Sequence, residues 1–304
     1  MNLQDLNTRW RKVSRTQGLS LRNAGKALAL SLLLTQSILA AQTVGPVTNE
    51  ATNKFHPGKV IWVDLITNDV SRAASFYRQV FGWEITSSPE GGFAEARYQG
   101  RPVAAIAAYE DGAPDNEARW LVSISVPDVD ITSATVPGHG GKVLEGPVDL
   151  PNRGRYVLVN DSSGAMLMFL QASGGDPLDG KPTPNNWLWA ELWTDDPDSA
   201  ADFYKAVVGY KSKTVSDTNG NDVMILGRQG IARASVVKTP WEDVEPNWLP
   251  YLLVNDIGKT LKSVEKHGGS VVLYAANDSD NADVAIVADP TGGVFALQQK
   301  EDRE

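Results

Sequence analysis

The sequence predicts an α+β protein of two tandem modules, each beginning with a strand and a helix and continuing with several strands. The first observation is an internal repeat: residues 62–82 recur at residues 189–209, with ten of 21 positions identical. The same order of elements is therefore expected twice. The second observation is length, because 304 residues accommodate about two domains of ordinary size. Hydrophobic residues make up 42% and charged residues 21%, which indicates globular modules rather than disorder.

The first 41 residues have the pattern of a secretory signal peptide. Six basic residues and one acidic residue precede an apolar stretch, residues 27–39, which ends in the small pair Ala40-Ala41. Such a stretch is shorter than the roughly 20 residues that a membrane span needs. We therefore predict cleavage, a periplasmic or secreted protein, and no stable membrane span in the mature form. An uncleaved N-terminal anchor is the alternative.

The remaining chain divides at segments rich in loop-forming residues. The sequence predicts a linker at 42–57, module 1 at 58–172, a second linker at 173–186 and module 2 at 187–299. The second linker is rich in Gly, Pro and Asn, which favour turns and extended backbone.

Each module begins with a strand and a capped helix. Residues 60–66 are rich in β-branched and aromatic side chains, which predicts a strand. Asp69 and Asp196 are placed to cap the following helices, and Gly82 and Gly209 to end them.

The later elements repeat as well. Hairpins are predicted around Gln99-Gly100 and Gln229-Gly230. Strands at 120–126 and 248–254, weaker helices and a closing hairpin complete each module.

Composition excludes several classes of function. The net charge is −9, so a nucleic-acid partner is not expected. There is no cysteine, which excludes disulfides, iron–sulfur clusters and a cysteine nucleophile. Of the three histidines, His139 and His267 precede Gly-Gly at equivalent helix ends, where capping is the simplest role. His56 is predicted to be an exposed linker residue.

The motifs resemble a known superfamily. Asp-x₃-Ala-Ala-x-Phe-Tyr, a following Gly, and a closing Asp-x-x-Gly occur in both repeats. Together they are similar to the vicinal oxygen chelate superfamily, which contains glyoxalases, bleomycin-resistance proteins and extradiol dioxygenases. The resemblance implies that each repeat is a βαβββ module and that the two modules pair their curved mixed sheets around one cavity.

The resemblance also identifies the positions that hold a metal in this superfamily. Carried onto this chain, the first-strand ligand positions are Trp62 and Trp189, and the last-strand positions are Met168 and Ala296. None of these side chains is a usual ligand of a divalent cation. We therefore predict no metal and no other cofactor.

Strand alternation predicts which side chains face the expected cavity. Val63, Leu65, Ala190 and Leu192 form the apolar face that packs on the helices. The opposite face of the first strands carries Trp62, Asp64, Trp189, Glu191 and Trp193, and the closing strands add Met168 and Gln298. These seven residues are the candidate site residues. The tryptophans are either core residues or surfaces for ligand stacking. The two carboxylates either complete a buried polar network or act as a base.

Two functions are compatible with this site. The first is an exported protein, similar to bleomycin-resistance proteins, that binds a small molecule without a metal. The second is a lyase or isomerase that uses Asp64 or Glu191 as a base or as an atypical metal site. A homodimer is compatible with either function.

Overall fold

The computed structural model describes residues 44–109, 118–216, 222–239, 244–274 and 284–300. The predicted signal peptide at residues 1–41 lies outside the described residues. Among the described residues, no helix is long and apolar enough to span a membrane.

Within its described residues, module 1 contains eight strands and two α-helices. The helices are α1 (Val70–Phe81) and α2 (Val129–Thr135), and α2 continues into a 3-10 turn, Val136–His139. The strands are β1 (Val60–Thr67), β2 (Glu84–Ser87), β3 (Phe93–Tyr98), β4 (Arg101–Ala108), β5 (Arg119–Ser125), β6 (Lys142–Leu150), β7 (Gly154–Asn160) and β8 (Met166–Ala172).

Module 2 repeats this order. Its helices are α3 (Pro197–Val208) and α4 (Ile257–Lys266). Its strands are β9 (Trp187–Thr194), β10 (Lys211–Ser216), β11 (Asp222–Arg228), β12 (Ile231–Lys238), β13 (Asn247–Val254), β14 (Ser270–Tyr274), β15 (Val284–Ala288) and β16 (Val294–Gln299).

Each module forms one mixed sheet of eight strands. The strand order is β2-β3-β4-β1-β5-β8-β7-β6 in module 1, and module 2 has the equivalent order β10-β11-β12-β9-β13-β16-β15-β14. The central strands β1 and β5 are antiparallel to each other. Strand β1 is parallel to β4, and β5 is parallel to β8. The α+β class with two tandem modules is confirmed. Each module nevertheless contains two βαβββ units rather than one.

The local signals predicted from the sequence are present. Asp69 Oδ1 accepts a hydrogen bond from the Arg72 backbone N–H at 2.9 Å, and Asp196 Oδ1 accepts one from Ser199 at 3.0 Å. Gly82 and Gly209 end the helices in the left-handed conformation, at φ 68° and 76°. Glycine has no Cβ to clash there, so these positions favour it.

The helices lie between the two sheets. One apolar cluster contains the helix-packing sides of both β1 and β9 together with helix residues of both modules, including Phe76 and Phe203. Helix α1 contacts α4, and α2 contacts α3. The two modules are therefore joined through their helical faces, and this shared core fills the space between them.

Two hydrogen bonds cross this core in opposite directions. The Tyr77 hydroxyl of module 1 donates to Asp289 Oδ2 of module 2 at 2.7 Å, and the Tyr204 hydroxyl of module 2 donates to Asp161 Oδ2 of module 1 at 2.7 Å. Indole N–H groups donate in turn to these hydroxyls, Trp120 at 3.2 Å and Trp248 at 2.9 Å. The Phe-Tyr and Asp-x-x-Gly motifs of one repeat thus bind those of the other.

The His-Gly-Gly motif serves the same contact. A Cβ on Gly141 would lie 2.7 Å from the Phe203 ring, and one on Gly269 would lie 2.9 Å from the Phe76 ring. Glycine at these positions allows each phenylalanine to pack on the backbone of the opposite module.

The first prediction concerns the crossed hydrogen bonds. Tyr204→Phe removes the donor to buried Asp161 and the acceptor for the Trp248 indole, so the free energy of unfolding should fall by about 2–4 kcal/mol. Urea denaturation measures it. Tyr98→Phe is the control, because the one hydrogen bond of its hydroxyl among the described residues is a long one, accepted from Asn185 at 3.4 Å. A loss no larger than that of the control would contradict a joining role for Tyr204.

The second prediction concerns alkaline pH. Burial, the largest cause in each case, raises the pKa of five tyrosines: Tyr77, Tyr156, Tyr204, Tyr210 and Tyr251. Above about pH 10 the unfolded chain releases these protons and the folded chain keeps them. Stability should therefore fall as pH rises, by about 1.4 kcal/mol per pH unit for each tyrosine.

Tyrosinate absorbance and circular dichroism, followed together, measure this effect. The five protons should be released in the same step in which the fold is lost, and Tyr210→Phe should reduce that step by one tyrosinate. Release of all five near pH 10 (their ordinary pKa, about 10) with the fold intact would contradict the prediction.

Candidate functional site

The side chains of the first strand in each module alternate as predicted. Val63 and Leu65 lie in the shared core, whereas Trp62 packs in a separate cluster on the opposite face of the sheet. In module 2, Ala190 and Leu192 lie in the core. We call the sheet face opposite the helices the inner face of each module.

The two inner faces do not meet. The inner-face cluster of module 1 includes Trp62 and Leu121, that of module 2 includes Trp193 and Leu249, and the helical core lies between the two sheets. The expectation of one inter-module cavity shared by Asp64 and Glu191 is therefore wrong. The physical reason is that each repeat pairs its own two βαβββ units, so each module has its own curved sheet.

Asp64 is held in an ion pair on the inner face of module 1. Arg153 Nη1 lies 3.3 Å from Asp64 Oδ1, and the Trp62 indole N–H donates to the same oxygen at 2.9 Å. The guanidinium also stacks on the Trp62 ring, 4.1 Å from its centroid. Burial raises the pKa of the Asp64 carboxyl, and the charge of Arg153 together with these hydrogen bonds opposes that rise.

The chain itself covers this face. Val44 and Val47, from the segment that precedes β1, are buried in the same cluster as Trp62. Met168, the predicted residue on β8, packs against this cluster and is only partly exposed. The inner face of module 1 is therefore occupied by apolar side chains of the protein.

Glu191 lies in a different environment on the inner face of module 2. Its Oε1 accepts from the Trp193 indole at 2.9 Å and from the Tyr251 hydroxyl at 2.8 Å. Its Oε2 accepts from the Ser235 hydroxyl at 2.8 Å, and Ser235 accepts from the Trp189 indole at 2.8 Å. All the partners that the structure describes for this carboxylate are thus neutral donors.

These side chains remain accessible. Trp189, Glu191, Trp193 and Tyr251 are partly exposed, and Ser235 is buried beneath them. Burial raises the pKa of the Tyr251 hydroxyl well above its ordinary value, and the negative charge of Glu191 raises it further. Tyr251 therefore remains a donor to Glu191 at neutral pH.

Gln298 lies on β16 near this group. It has the same strand parity as Val294 and Ala296, which belong to the inner-face cluster of module 2, and it is partly exposed. The structure thus places Trp189, Glu191, Trp193 and Gln298 on the inner face of module 2. It places Trp62, Asp64 and Met168 on the inner face of module 1.

The sequence did not predict three residues of these networks, Arg153, Ser235 and Tyr251. Arg153 lies in the β6–β7 turn, where Pro151-Asn152 and Gly154 mark a turn but give no indication that its side chain reaches Asp64. Ser235 and Tyr251 are placed by strand register, opposite Glu191 on β12 and opposite Trp189 on β13. Register between strands distant in sequence is not encoded in local patterns.

The positions that the resemblance assigns to metal ligands carry no usual donor for a divalent cation. In module 1 they lie in a row across three strands, with Trp62 opposite Ser123 and Ser123 opposite Met168. The Trp62 indole is a hydrogen-bond donor with no lone pair to offer, and Met168 provides only a weak thioether acceptor.

The same row in module 2 consists of Trp189, Tyr251 and Ala296. Neither row provides the donors that a divalent cation requires. Within the described residues, no three side chains of His, Asp or Glu converge.

Two histidines make local contacts at helix ends. His139 Nδ1 lies 3.1 Å from the Thr135 carbonyl oxygen, and His267 Nδ1 lies 2.8 Å from that of Ser263. Both contacts agree with the predicted capping role. His56 was predicted to be exposed, but it is only partly exposed in the structure. Its Nδ1 atom lies 3.7 Å from Asp179 Oδ2.

Comparison with known proteins places the chain in a family. The sequence model of the glyoxalase/bleomycin resistance protein/dioxygenase superfamily matches residues 59–169. A protein of Mycobacterium tuberculosis (strain CDC 1551 / Oshkosh) named putative glyoxylase CFP32 is 31% identical over 251 residues, which cover 81% of this chain and 96% of the relative. The anthracycline biosynthesis protein DnrV of Streptomyces peucetius is 29% identical over 266 residues, covering 80% and 94%.

Solved structures show the same fold. The Mn(II)-bound glyoxalase from Novosphingobium aromaticivorans superposes with a TM-score of 0.55 at 16% identity, over 80% of this chain and 82% of that one. The 2,3-dioxygenase LapB from Pseudomonas sp. KL28 gives a TM-score of 0.55 at 13% identity, over 80% and 92%. Sequence and fold agree that this chain belongs to the glyoxalase/bleomycin resistance protein/dioxygenase superfamily, the vicinal oxygen chelate proteins.

Proposed function

We propose that this protein is an exported member of the superfamily that binds a small, partly aromatic molecule on the inner face of module 2. The observation that supports the proposal is the Glu191 network, a carboxylate oriented by three neutral donors among partly exposed aromatic rings. A small-molecule site typically combines apolar and aromatic surface with a few oriented polar groups.

The network indicates what kind of ligand fits. A carboxylate has about four lone-pair positions, and three of those on Glu191 already accept hydrogen bonds. One position remains for a hydroxyl or N–H of the ligand, and the Trp189, Trp193 and Tyr251 rings offer surfaces for a planar group. DnrV, a relative named for anthracycline biosynthesis, supports an aromatic ligand.

Module 1 is the weaker candidate for this site. Its equivalent carboxylate, Asp64, is paired with Arg153, and Val44 and Val47 cover the face. We therefore propose one small-molecule site in each chain, on module 2.

The alternative is an enzyme of the lyase or isomerase kind, with Glu191 as general base. The absence of a cation among the described partners of Glu191 favours it, because the carboxylate is not held in an ion pair. A relative named putative glyoxylase also supports an enzyme.

The third prediction tests the site with a dihydroxyanthraquinone, a planar compound that carries both hydroxyl and carbonyl groups. Its binding should quench tryptophan fluorescence. Trp189→Ala should weaken binding by about 1–3 kcal/mol, and Trp189→Phe, which keeps a ring, should restore part of the loss. Glu191→Gln should weaken it by about 1.5–3 kcal/mol, because a hydrogen bond to a charged acceptor is lost.

Asp64→Asn is the matched control, since it makes the same kind of change at the equivalent position of module 1. It should leave the affinity unchanged. Equal losses in Asp64→Asn and Glu191→Gln would contradict a site confined to module 2.

The same variants distinguish a binding protein from an enzyme. Proton NMR in D₂O follows exchange of the C–H protons beside the carbonyl of hydroxyacetone. A general base at Glu191 would accelerate this exchange in the wild type and not in Glu191→Gln. No acceleration by the wild type supports the binding protein.

The fourth prediction concerns export. The native protein should be recovered outside the cytoplasm and should begin at Ala41 or Gln42, because the basic, apolar and small segments of residues 1–41 follow the order of a signal peptide. N-terminal sequencing and intact mass measure this. An intact N-terminus in a membrane fraction would support the anchor instead.

A further inference from the structure

The segment Val44–Glu50, which we call the strap, crosses the inner face of module 1. Val44 is 7% and Val47 5% exposed, and both pack in the cluster that contains Trp62, Leu121 and Tyr156. Gly45 and Pro46, between them, are more exposed. The strap thus inserts two apolar side chains into the sheet face that is partly open in module 2.

Side chains of module 1 hold the strap by its polar groups. Arg153 Nε donates to the Gly45 carbonyl at 3.0 Å. Asn49 Nδ2 donates to the Gly100 carbonyl at 2.8 Å, and Arg97 donates to Asn49 Oδ1. Among the described residues, no backbone–backbone hydrogen bond joins residues 44–50 to the sheet. The strap is therefore bound as a peptide ligand would be, through pockets and side-chain donors.

The surface under the strap has unused recognition groups. Arg153 Nη2 and Glu95 Oε1 are buried and have no hydrogen-bond partner in the part of the chain that the structure describes, although they lie 3.9 Å apart as an ion pair. Arg153 is only 4% exposed. A donor and an acceptor side by side match the carbonyl and N–H of a peptide group.

This surface also fits closely around glycine at one position. A Cβ on Gly45 would lie 2.3 Å from Glu95 Oε1, the end of a flexible side chain that would have to shift. That shift would move the Glu95 carboxylate away from Arg153 and Arg97, whose nitrogens lie 3.9 and 3.8 Å from its oxygens. Gly45 has an ordinary backbone conformation, since its φ lies outside the positive range. The preference for glycine therefore comes from Glu95 and not from the backbone of the strap.

The strap belongs to module 1 alone. The residue 127 positions after Val44 is Gln171, which lies within β8, so the repeat leaves no equivalent segment for module 2. The strap also begins three residues after the predicted cleavage site at Ala41. It is thus the N-terminal end of the predicted mature chain.

We propose that the inner face of module 1 is a peptide-binding groove for an apolar–Gly–Pro–apolar segment, and that the chain's own strap occupies it. The groove comprises Trp62, Leu121, Tyr156, Arg153 and Glu95, with Arg97 at one end. This inference is independent of the ligand site on module 2.

The fifth prediction tests the groove in the full chain with Gly45→Val. The added side chain must displace Glu95 from its ion pairs with Arg153 and Arg97 and should release the strap. Release is seen as a change in the methyl NMR signals of Val44 and Val47, which pack in the cluster that contains Trp62 and Tyr156. A capped peptide of the sequence Val44–Glu50 should then bind Gly45→Val at least about tenfold more tightly than it binds the wild type. The same peptide with the Gly45→Val change should bind at least about tenfold more weakly than the unchanged peptide.

Gly92→Val is the matched control, because Gly92 is exposed and a Cβ there meets nothing within 4 Å. It should keep the strap bound and should not gain affinity for the peptide. If Gly45→Val does not fold, Val47→Thr replaces it, since the added hydroxyl weakens burial of the strap without a clash.

Two results would overturn the proposal. A strap that stays bound in both variants would show that residues 44–50 are part of a fixed core. A released strap without tighter peptide binding would show that the face recognises no peptide. Neither result bears on the anthraquinone titration of module 2, so the two proposals fail separately.

Discussion

The crossed tyrosine–aspartate hydrogen bonds are the interaction on which the rest of the structure depends. Asp161 and Asp289 each close the turn of their own module, with Oδ1 accepting backbone N–H groups at 2.7–3.1 Å. The Oδ2 atom of each carboxylate accepts a hydrogen bond from the tyrosine hydroxyl of the opposite module. A buried carboxylate without these partners would cost several kcal/mol. The turn in one module is therefore fully satisfied only when the other module is docked.

This mode of docking decides where function can lie. Because the helical faces meet at the centre, the inner faces of the two sheets point into separate environments. Equivalent strand positions consequently have different neighbours. Asp64 has a cation and a covering segment, whereas Glu191 has neutral donors and partly exposed rings.

The sequence predicted the features that depend on neighbours along the chain. The caps at Asp69 and Asp196, the turn at Gln99-Gly100 and the alternation of β1 follow from local chemistry, and the structure confirms them. The short strand Glu84–Ser87 and the irregular strand Lys142–Leu150 were not predicted, because neither has an alternating apolar pattern.

The missed parts of the site are contacts between distant segments. Arg153 reaches Asp64 across 89 positions, and Glu191 meets Tyr251 across 60. Such pairs depend on the register of β5 with β8 and of β9 with β13, which is fixed only when the sheets assemble. The resemblance gave the fold class correctly, but it placed one cavity where the structure has a packed core.

The repeat itself has an evolutionary consequence. The contacts that the repeated motifs make across the centre are reciprocal, as in a two-fold homodimer of half-length chains: Tyr77 meets Asp289 as Tyr204 meets Asp161, and Phe76 meets Gly269 as Phe203 meets Gly141. In such a dimer any change in one site would appear in both. Fusion of two gene copies removes that restriction, since the shared core can stay symmetric while each outer half acquires its own substitutions. The inner face of one half can then be covered by the N-terminal segment Val44–Glu50, while the inner face of the other half stays accessible.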